Sequence, residues 1–297
     1  TSRYFATAML PDYDPNAPLE LFQKFEFRTF ARQLIEYSEN ADDVESEINE
    51  DFSPPEIKDE PVETVIVQDA AALEKLVRVL NKAKLIAFDT ETTSINQMEA
   101  RLVGIALAVN GKTGYYVPVG HLGAGAGTMF ETPAAQQLPL DTVIEALRPA
   151  LTNPDIEKVA HNAAYDLVVM QRHGIIVKPV GFDTMIAEWL RDPISRNLGL
   201  KNFATIELKH SMTPIEDLIG KGKKQKSIDT VPLADVAPYA ADDAATTYRA
   251  EEFLRPILKQ NDLMDLYNTL EMPLVPVIVA MEQAGISLDT DFLREMS

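Results

Sequence analysis

The sequence predicts an α/β fold, a mixed five- or six-stranded sheet flanked by helices, and three observations predict it. Short apolar runs of strand length alternate with segments of helical period. An Asn110-Gly111 turn joins two of the early runs, the mark of an antiparallel hairpin. Later runs are separated by helix-length segments, as in β/α units.

The elements follow in order. Leu19 to Tyr37 carries Leu21, Phe22, Phe25, Phe30 and Leu34 at helical spacing, an apolar face too short to bury itself. From Glu39 to Glu60 there are ten acidic residues and one Lys, with Pro54-Pro55, so residues 39–61 read as a solvated linker. Thr64 to Val67 is a strand, Ala70 to Asn81 an amphipathic helix, and Leu85 to Phe88 a buried strand. Leu102 to Val109 and Tyr115 to Val119 form the hairpin. A helix over Leu140 to Leu151, a strand over Lys158 to Ala160 and a helix over Ala163 to Arg172, ended near Gly174, come next. Thr184 to Leu190, Leu198 to Leu208 and Leu233 to Leu258 read as helices, the last with a break expected near Pro238. Trp189 reads as a core anchor. The tail changes character: an apolar helix ending at Ala284-Gly285, a strand-like Ile286-Ser287-Leu288, then a capped helix start at Asp289-Thr290. The chain stops there without a natural ending, as expected of a longer polypeptide cut short.

The bulk numbers narrow the function. With 297 residues, 46% hydrophobic and 7% aromatic, the chain can bury a core of one large domain or two smaller ones. No run of about eighteen apolar residues is present, so no transmembrane helix and no membrane partner is expected. Without cysteine there is no disulfide or thiolate metal site, which fits a cytoplasmic location. A net charge of −19 argues against gripping duplex DNA by neutralising many phosphates. It is compatible with holding a few nucleotides through metal ions.

Three segments carry chemistry. In Phe88-Asp89-Thr90-Glu91-Thr92, Asp89 and Glu91 are two apart, so in an extended chain both carboxylates share one face. Such a pair repels unless one protonates or a hard divalent ion sits between them. An acidic turn after a strand would look the same. In His161-Asn162-Ala163-Ala164-Tyr165-Asp166, Asn162 is a natural N-cap and Asp166 lies in the first helical turn, where the helix dipole stabilises it. That is also a sufficient structural explanation. In Tyr239-Ala240-Ala241-Asp242-Asp243, Tyr239 and Asp243 share a helix face, and the alanines let that face approach a neighbour closely. A core Tyr beside a solvated Asp would show the same pattern.

Together and in this order, Asp-x-Glu after a strand, Asn-x-x-Tyr-Asp entering a helix and Tyr-x-x-x-Asp on a late helix resemble the three motifs of the DEDD exonucleases, tyrosine subtype. Phe88 to Ser94, Leu218 to Lys226 and Tyr239 to Thr246 look like bacterial DNA polymerase I of family A. Leu19 to Arg32 is similar to the end of that family's 5′-nuclease region, and Glu271 to Leu293 to the opening of its polymerase domain. The resemblance implies a ribonuclease-H-like fold and four parts: residues 1–38 from the 5′-nuclease-like region, the linker 39–61, a 3′→5′ exonuclease domain over 62–262, and the truncated start of a polymerase domain over 263–297. It implies that Asp89, Glu91, Asp166 and Asp243 hold two divalent ions, Mg²⁺ or Mn²⁺, with Zn²⁺ admissible at one site. Asp89 would bridge them, Glu91 and Asp243 complete the first, and Asp166 serve the second through water. Tyr239 would orient the attacking water; with an ordinary pKa of about 10 it is a poor base near neutrality. Thr90, Ile95, Asn162 and Tyr165 sit where the family contacts the terminal nucleotide. Some members have lost these carboxylates, but this chain retains all four.

The implied reaction is removal of nucleoside 5′-monophosphates from the 3′ end of single-stranded or frayed DNA, as a proofreading module covalently linked to nuclease and polymerase domains near the bacterial nucleoid. An RNA-processing exonuclease with the same motifs is one alternative. A non-catalytic platform between nuclease and polymerase domains is another. Lys221, Lys223, Lys224 and Lys226 form the dense basic run, equally a solvated loop or a DNA contact. Gly123 to Gly127 lacks the Gly-Lys-Ser/Thr that a phosphate loop needs, and reads as a flexible hairpin loop.

Overall fold

Six strands form one mixed sheet in the order β1-β4-β3-β2-β5-β6. They are β1 (Glu63–Ile66), β2 (Leu85–Thr92), β3 (Leu102–Ala108), β4 (Thr113–Pro118), β5 (Glu157–Ala160) and β6 (Val180–Asp183). The computed structural model describes residues 61–123, 134–222 and 225–296, all within the compact unit 57–297. The expected helix over Leu19 to Tyr37, the linker up to Glu60 and the loop after Gly123 lie outside the described residues.

Local chemistry explains the sheet. All seven residues of β3 are buried, as in a central strand covered on both faces. At the hairpin the Asn110 side chain accepts from the backbone N–H groups of Lys112 (2.8 Å) and Thr113 (2.9 Å), fixing the turn. β2 is antiparallel to β3 and parallel to β5. It runs four residues past its apolar stretch, to Thr92, with Asp89 opposite Ala106 and Glu91 opposite Gly104. Backbone pairing continues there although the side chains have turned polar, so the acidic motif lies on the strand itself. β6 was not among the predicted strands, being four residues long and containing Gly181.

Helix α1 (Ala70–Leu80) starts at Asp69, whose side chain accepts from Ala72 N at 2.8 Å, and packs on α2 (Leu140–Thr152). α3 (Ala163–Arg172) is followed by Gly174 at φ +86°, the left-handed position glycine tolerates. α4 (Thr184–Arg191), α5 (Leu200–Ile206) and the short α6 (Ile215–Ile219) precede the long α7 (Leu233–Gln260). α7 runs unbroken through Pro238, contrary to the expected break. It lies across β1 to β4, and packing along its length outweighs one lost backbone hydrogen bond. That packing is close: a Cβ on Gly114 would meet the Ala241 carbonyl oxygen at 2.2 Å.

Two further expectations are corrected. Trp189 is 42% exposed; α4 buries Thr184, Ala187, Glu188 and Leu190 instead, and Glu188 can take an inward place because Arg191 neutralises it. Ile286-Ser287-Leu288 is exposed and pairs with no strand among the described residues, so apolar alternation alone did not make a strand. The tail otherwise follows expectation. A π turn over Tyr267–Glu271 leads into α8 (Met272–Ala284), and Asp289 caps α9 (Thr290–Met296) by accepting from Phe292 N at 3.0 Å. Tyr267 is fully buried against Phe182, with ring centroids 5.0 Å apart. No single described helix is long and apolar enough to cross a membrane.

Candidate active site

Three elements deliver four carboxylates. β2 carries Asp89 and Glu91, on one face by the two-residue period of a strand. α7 carries Tyr239 and Asp243 one turn apart, and α3 carries Asp166 in its first turn. Carboxylate oxygens of Asp89, Glu91 and Asp243 lie within 4.8 Å of one another. Asp166 stands beside this triad. Its Oδ1 accepts from the Thr90 backbone N–H at 3.0 Å and from the Thr90 hydroxyl.

The electrostatics are those of anions crowded in a low-dielectric cleft. Burial, then the Asp243 carboxylate, pushes Glu91 up to about 8. Burial raises Asp166 to about 7 against the pull of its Thr90 hydrogen bonds. Asp89 is raised well above the ordinary carboxylate range by burial, then by Asp166, Glu91 and Asp243. Asp243 is raised by burial and pulled back by Lys201. Tyr239 is shifted further from ionisation by burial and then by the charge of Asp243. An all-oxygen anionic donor set that must otherwise hold protons fits a hard divalent cation.

Behind the carboxylates, Tyr116 lies in register with Ala106 and Asp89. A Cβ on Gly104, opposite Glu91, would meet the Tyr116 hydroxyl at 2.1 Å, so glycine is required there. That hydroxyl shares a 2.7 Å hydrogen bond with His121 Nε2.

A groove of about 840 Å³ opens beside Glu91. Thr90, Ile95, Asn162, Tyr165, Lys226 and Tyr239 all line it, so the expected nucleotide contacts converge. Ile95 is 97% exposed there. Tyr165 bonds the Thr92 hydroxyl and the Ser94 carbonyl, which fixes its ring. Lys221 is exposed and does not line the groove; Lys223 and Lys224 lie outside the described residues.

Asn162 departs from the N-cap reading. Its backbone is left-handed (φ 62°) and its side chain makes no capping bond. The work is done by Asp183, which accepts from Asn162 N (3.2 Å) and Ala163 N (2.7 Å) while capping α4 through Met185 N and Ile186 N. One carboxylate thus ties the entries of two helices.

The family model described as 3′-5′ exonuclease, of DNA polymerase A, matches residues 64–259. The chain belongs to this 3′-5′ exonuclease family. Curated relatives agree. DNA polymerase I of Chloroflexus aurantiacus is 44% identical over 240 residues, covering 80% of this chain and 24% of the relative. DNA polymerase I of Pseudomonas aeruginosa is 32% identical over 280 residues, covering 93% and 29%. The chain therefore spans about a quarter of the length of the curated relatives it matches. Among solved structures, Brucella melitensis NrnC bound to pGG is 20% identical with TM-score 0.55, covering 76% of this chain and 95% of that one. The POL domain of Pol1 from M. smegmatis, in complex with DNA primer-template and dNTP, is 17% identical with TM-score 0.57, covering 77% and 34%. These two likenesses establish the shared ribonuclease-H-like fold.

The exonuclease site also contains residues that sequence reasoning did not single out. Lys201 donates to both oxygens of Asp243, at 2.9 and 3.2 Å. No local pattern links residues 42 apart, so only the fold reveals this pair. Asp183 had a readable signal, an Asp directly before a helix. Its second role, at the entry to α3, has none.

Proposed function

We propose that this exonuclease hydrolyses the 3′-terminal phosphodiester of single-stranded or frayed DNA with two divalent ions, Mg²⁺ or Mn²⁺, releasing nucleoside 5′-monophosphates. The observation that carries the reading is the triad of Asp89, Glu91 and Asp243, whose Glu91 also lines a groove with Ile95, Asn162 and Tyr165. Asp89, Glu91 and Asp243 would hold one ion, and Asp89 with Asp166 the other. Bound divalent ions supply the positive charge that activates water and steadies the departing 3′-oxygen. The Tyr239 hydroxyl stays protonated and orients the water, while Ile95 and Tyr165 hold the last nucleotide. Lys226 is a candidate backbone contact, and Lys221, Lys223 and Lys224 would extend it. In the full-length protein the domain would proofread, covalently linked to 5′-nuclease and polymerase regions in the bacterial cytoplasm.

A 5′-labelled single strand tests this. With Mn²⁺ it should shorten from the 3′ end, and chelator should stop the reaction. A paired end should be slower, because its terminal bases must first separate. Asp89→Ala with Glu91→Ala should abolish cleavage. Shortening from the 5′ end would overturn the proposal. Faster cleavage of a matched RNA strand would move the substrate to RNA.

A further inference from the structure

Among the described residues, one lysine reaches into the carboxylate cleft. Lys201 stands at the second position of α5, and its ammonium reaches both oxygens of Asp243. The same Nζ lies 4.0 Å from the centre of the Tyr239 ring, so it is held by a carboxylate and by an aromatic face together. Its side chain is 28% exposed and that of Asp243 12%, so the pair sits at the cleft wall and not in bulk solvent. Asp243 is also one corner of the ligand triad. Both its oxygens accept from the ammonium, so a divalent ion that takes Asp243 as a ligand competes with Lys201 for them.

We propose that Lys201 is a placeholder cation. It positions Asp243 and offsets the crowded anions while the site is empty, and a divalent ion must displace it to take Asp243 as a ligand. This rests on the reading of the carboxylates as the metal site. Lys201 is therefore a positioning residue that sets metal affinity by competition. By linkage, whatever binds the empty site better than the filled one weakens the metal by the same factor. Removing the ammonium acts in one direction only, since it frees Asp243 and removes a charge that repels the incoming ion.

The experiment uses the whole chain at one pH, with Mn²⁺ as the probe. Mn²⁺ affinity is read by calorimetric titration, and melting temperature with chelator and with saturating Mn²⁺. Lys201→Met should bind Mn²⁺ about five-fold or more tightly than wild type, the scale of ordinary coupling between bound species. Its melting temperature should fall in chelator and match wild type with Mn²⁺. Lys201→Gln, which can still donate to Asp243 without the charge, should move the same way and stands in should the Met variant not fold. Lys201→Arg should stay near wild type. A lysine with only a structural role would shift both melting temperatures equally and leave Mn²⁺ affinity untouched. That result, or weaker binding in both neutral variants, overturns the placeholder. A wild-type protein that neither binds Mn²⁺ nor melts higher with it would instead overturn the carboxylate site, and the placeholder with it.

Discussion

Two regions of the exonuclease bury acidic side chains, and they treat them in opposite ways. Around α4 and α7, Arg191 and Arg255 each answer two carboxylates. Arg191 forks onto both oxygens of Glu188 (2.7 and 2.8 Å) and reaches Glu207 at 2.7 Å. Arg255 joins Glu251 and Glu157 while lying 4.7 Å over the Phe182 ring. In the cleft, the four carboxylates meet one ammonium among the described residues, that of Lys201. Burial alone does not separate the regions, since Glu188 is 2% exposed and Glu91 7%. Geometry does. In the first region the guanidinium donors of Arg191 and Arg255 are matched to carboxylate acceptors. The second is left short of positive charge, a cost that a bound divalent cation would offset.

The largest effect that sharpens this contrast is a crossed pair of substitutions. Asp89→Asn should lower the exonuclease rate on the order of a thousand-fold, the scale of losing one electrostatic element of a site. It should leave the metal-free protein as stable as wild type or more so, because a repelling charge has gone. Arg191→Met should do the reverse. It strands Glu188 in the interior, where breaking a buried pair costs about 3–5 kcal/mol, yet the folded fraction should cleave normally at low temperature. Initial rates and thermal melts in chelator decide it. Equal loss of stability in both variants would erase the distinction between the regions.

The next effect is the pH dependence of stability. With chelator, Glu91 in the folded state is raised from 4.5 to about 8 and Asp166 from 3.8 to about 7. Between the ordinary carboxylate range and about pH 8 the folded state therefore binds more protons than the unfolded one. Stability must fall as pH rises through that window. Bound metal requires the ionised carboxylates, so its stabilisation should grow over the same window. At a hundred-fold excess over the dissociation constant that stabilisation is about 2.7 kcal/mol. Melting curves from pH 5 to 9, with chelator and with Mn²⁺, should diverge. Parallel curves would place the carboxylates in a solvated setting like that of an ordinary surface.

How much of this was legible in the sequence differs between the same two regions. The cleft motifs were readable because their spacings are local: two residues on a strand, one turn on a helix, a first turn after a strand. The hairpin and most helices were readable through periodicity and turn chemistry. β6 and α6 were not: β6 offers only Val180 and Phe182 around a glycine, and the five residues of α6 span little more than one turn. The paired region was hidden for another reason. Arg255 meets Glu157 from 98 residues away, as in the cleft Lys201 meets Asp243 from 42. Trp189 was placed inward on residue type and helix spacing, whereas Glu188 took the buried position because Arg191 lay one turn on. Asn162 was assigned a cap by residue type, but the backbone there is left-handed and Asp183 does the capping. Partners, some of them distant in sequence, decide which polar residue goes inside, and composition does not record them.

The smallest effect tests whether Tyr239 belongs to the cleft's chemistry or to its walls. Its ring faces the Lys201 ammonium, and its hydroxyl, hydrogen-bonded to Asp243, is shifted away from ionisation. A phenol so placed cannot serve as a base near neutrality, but it can fix a water by one hydrogen bond. Tyr239→Phe keeps the ring, its packing and its contact with Lys201, and removes only the hydroxyl. The rate should fall about ten-fold, below the usual range for a proton-transferring group, because orientation alone is lost. The pH profile of the rate should keep its shape, since no group titrating in the working range has been removed. Mn²⁺ affinity should stay within about two-fold of wild type, Asp243 having lost a neighbour and not a charge. A rate unchanged at limiting metal and substrate would return Tyr239 to the wall. A change in the shape of the pH profile would instead make its hydroxyl a proton carrier and leave the four carboxylates only part of the catalytic apparatus.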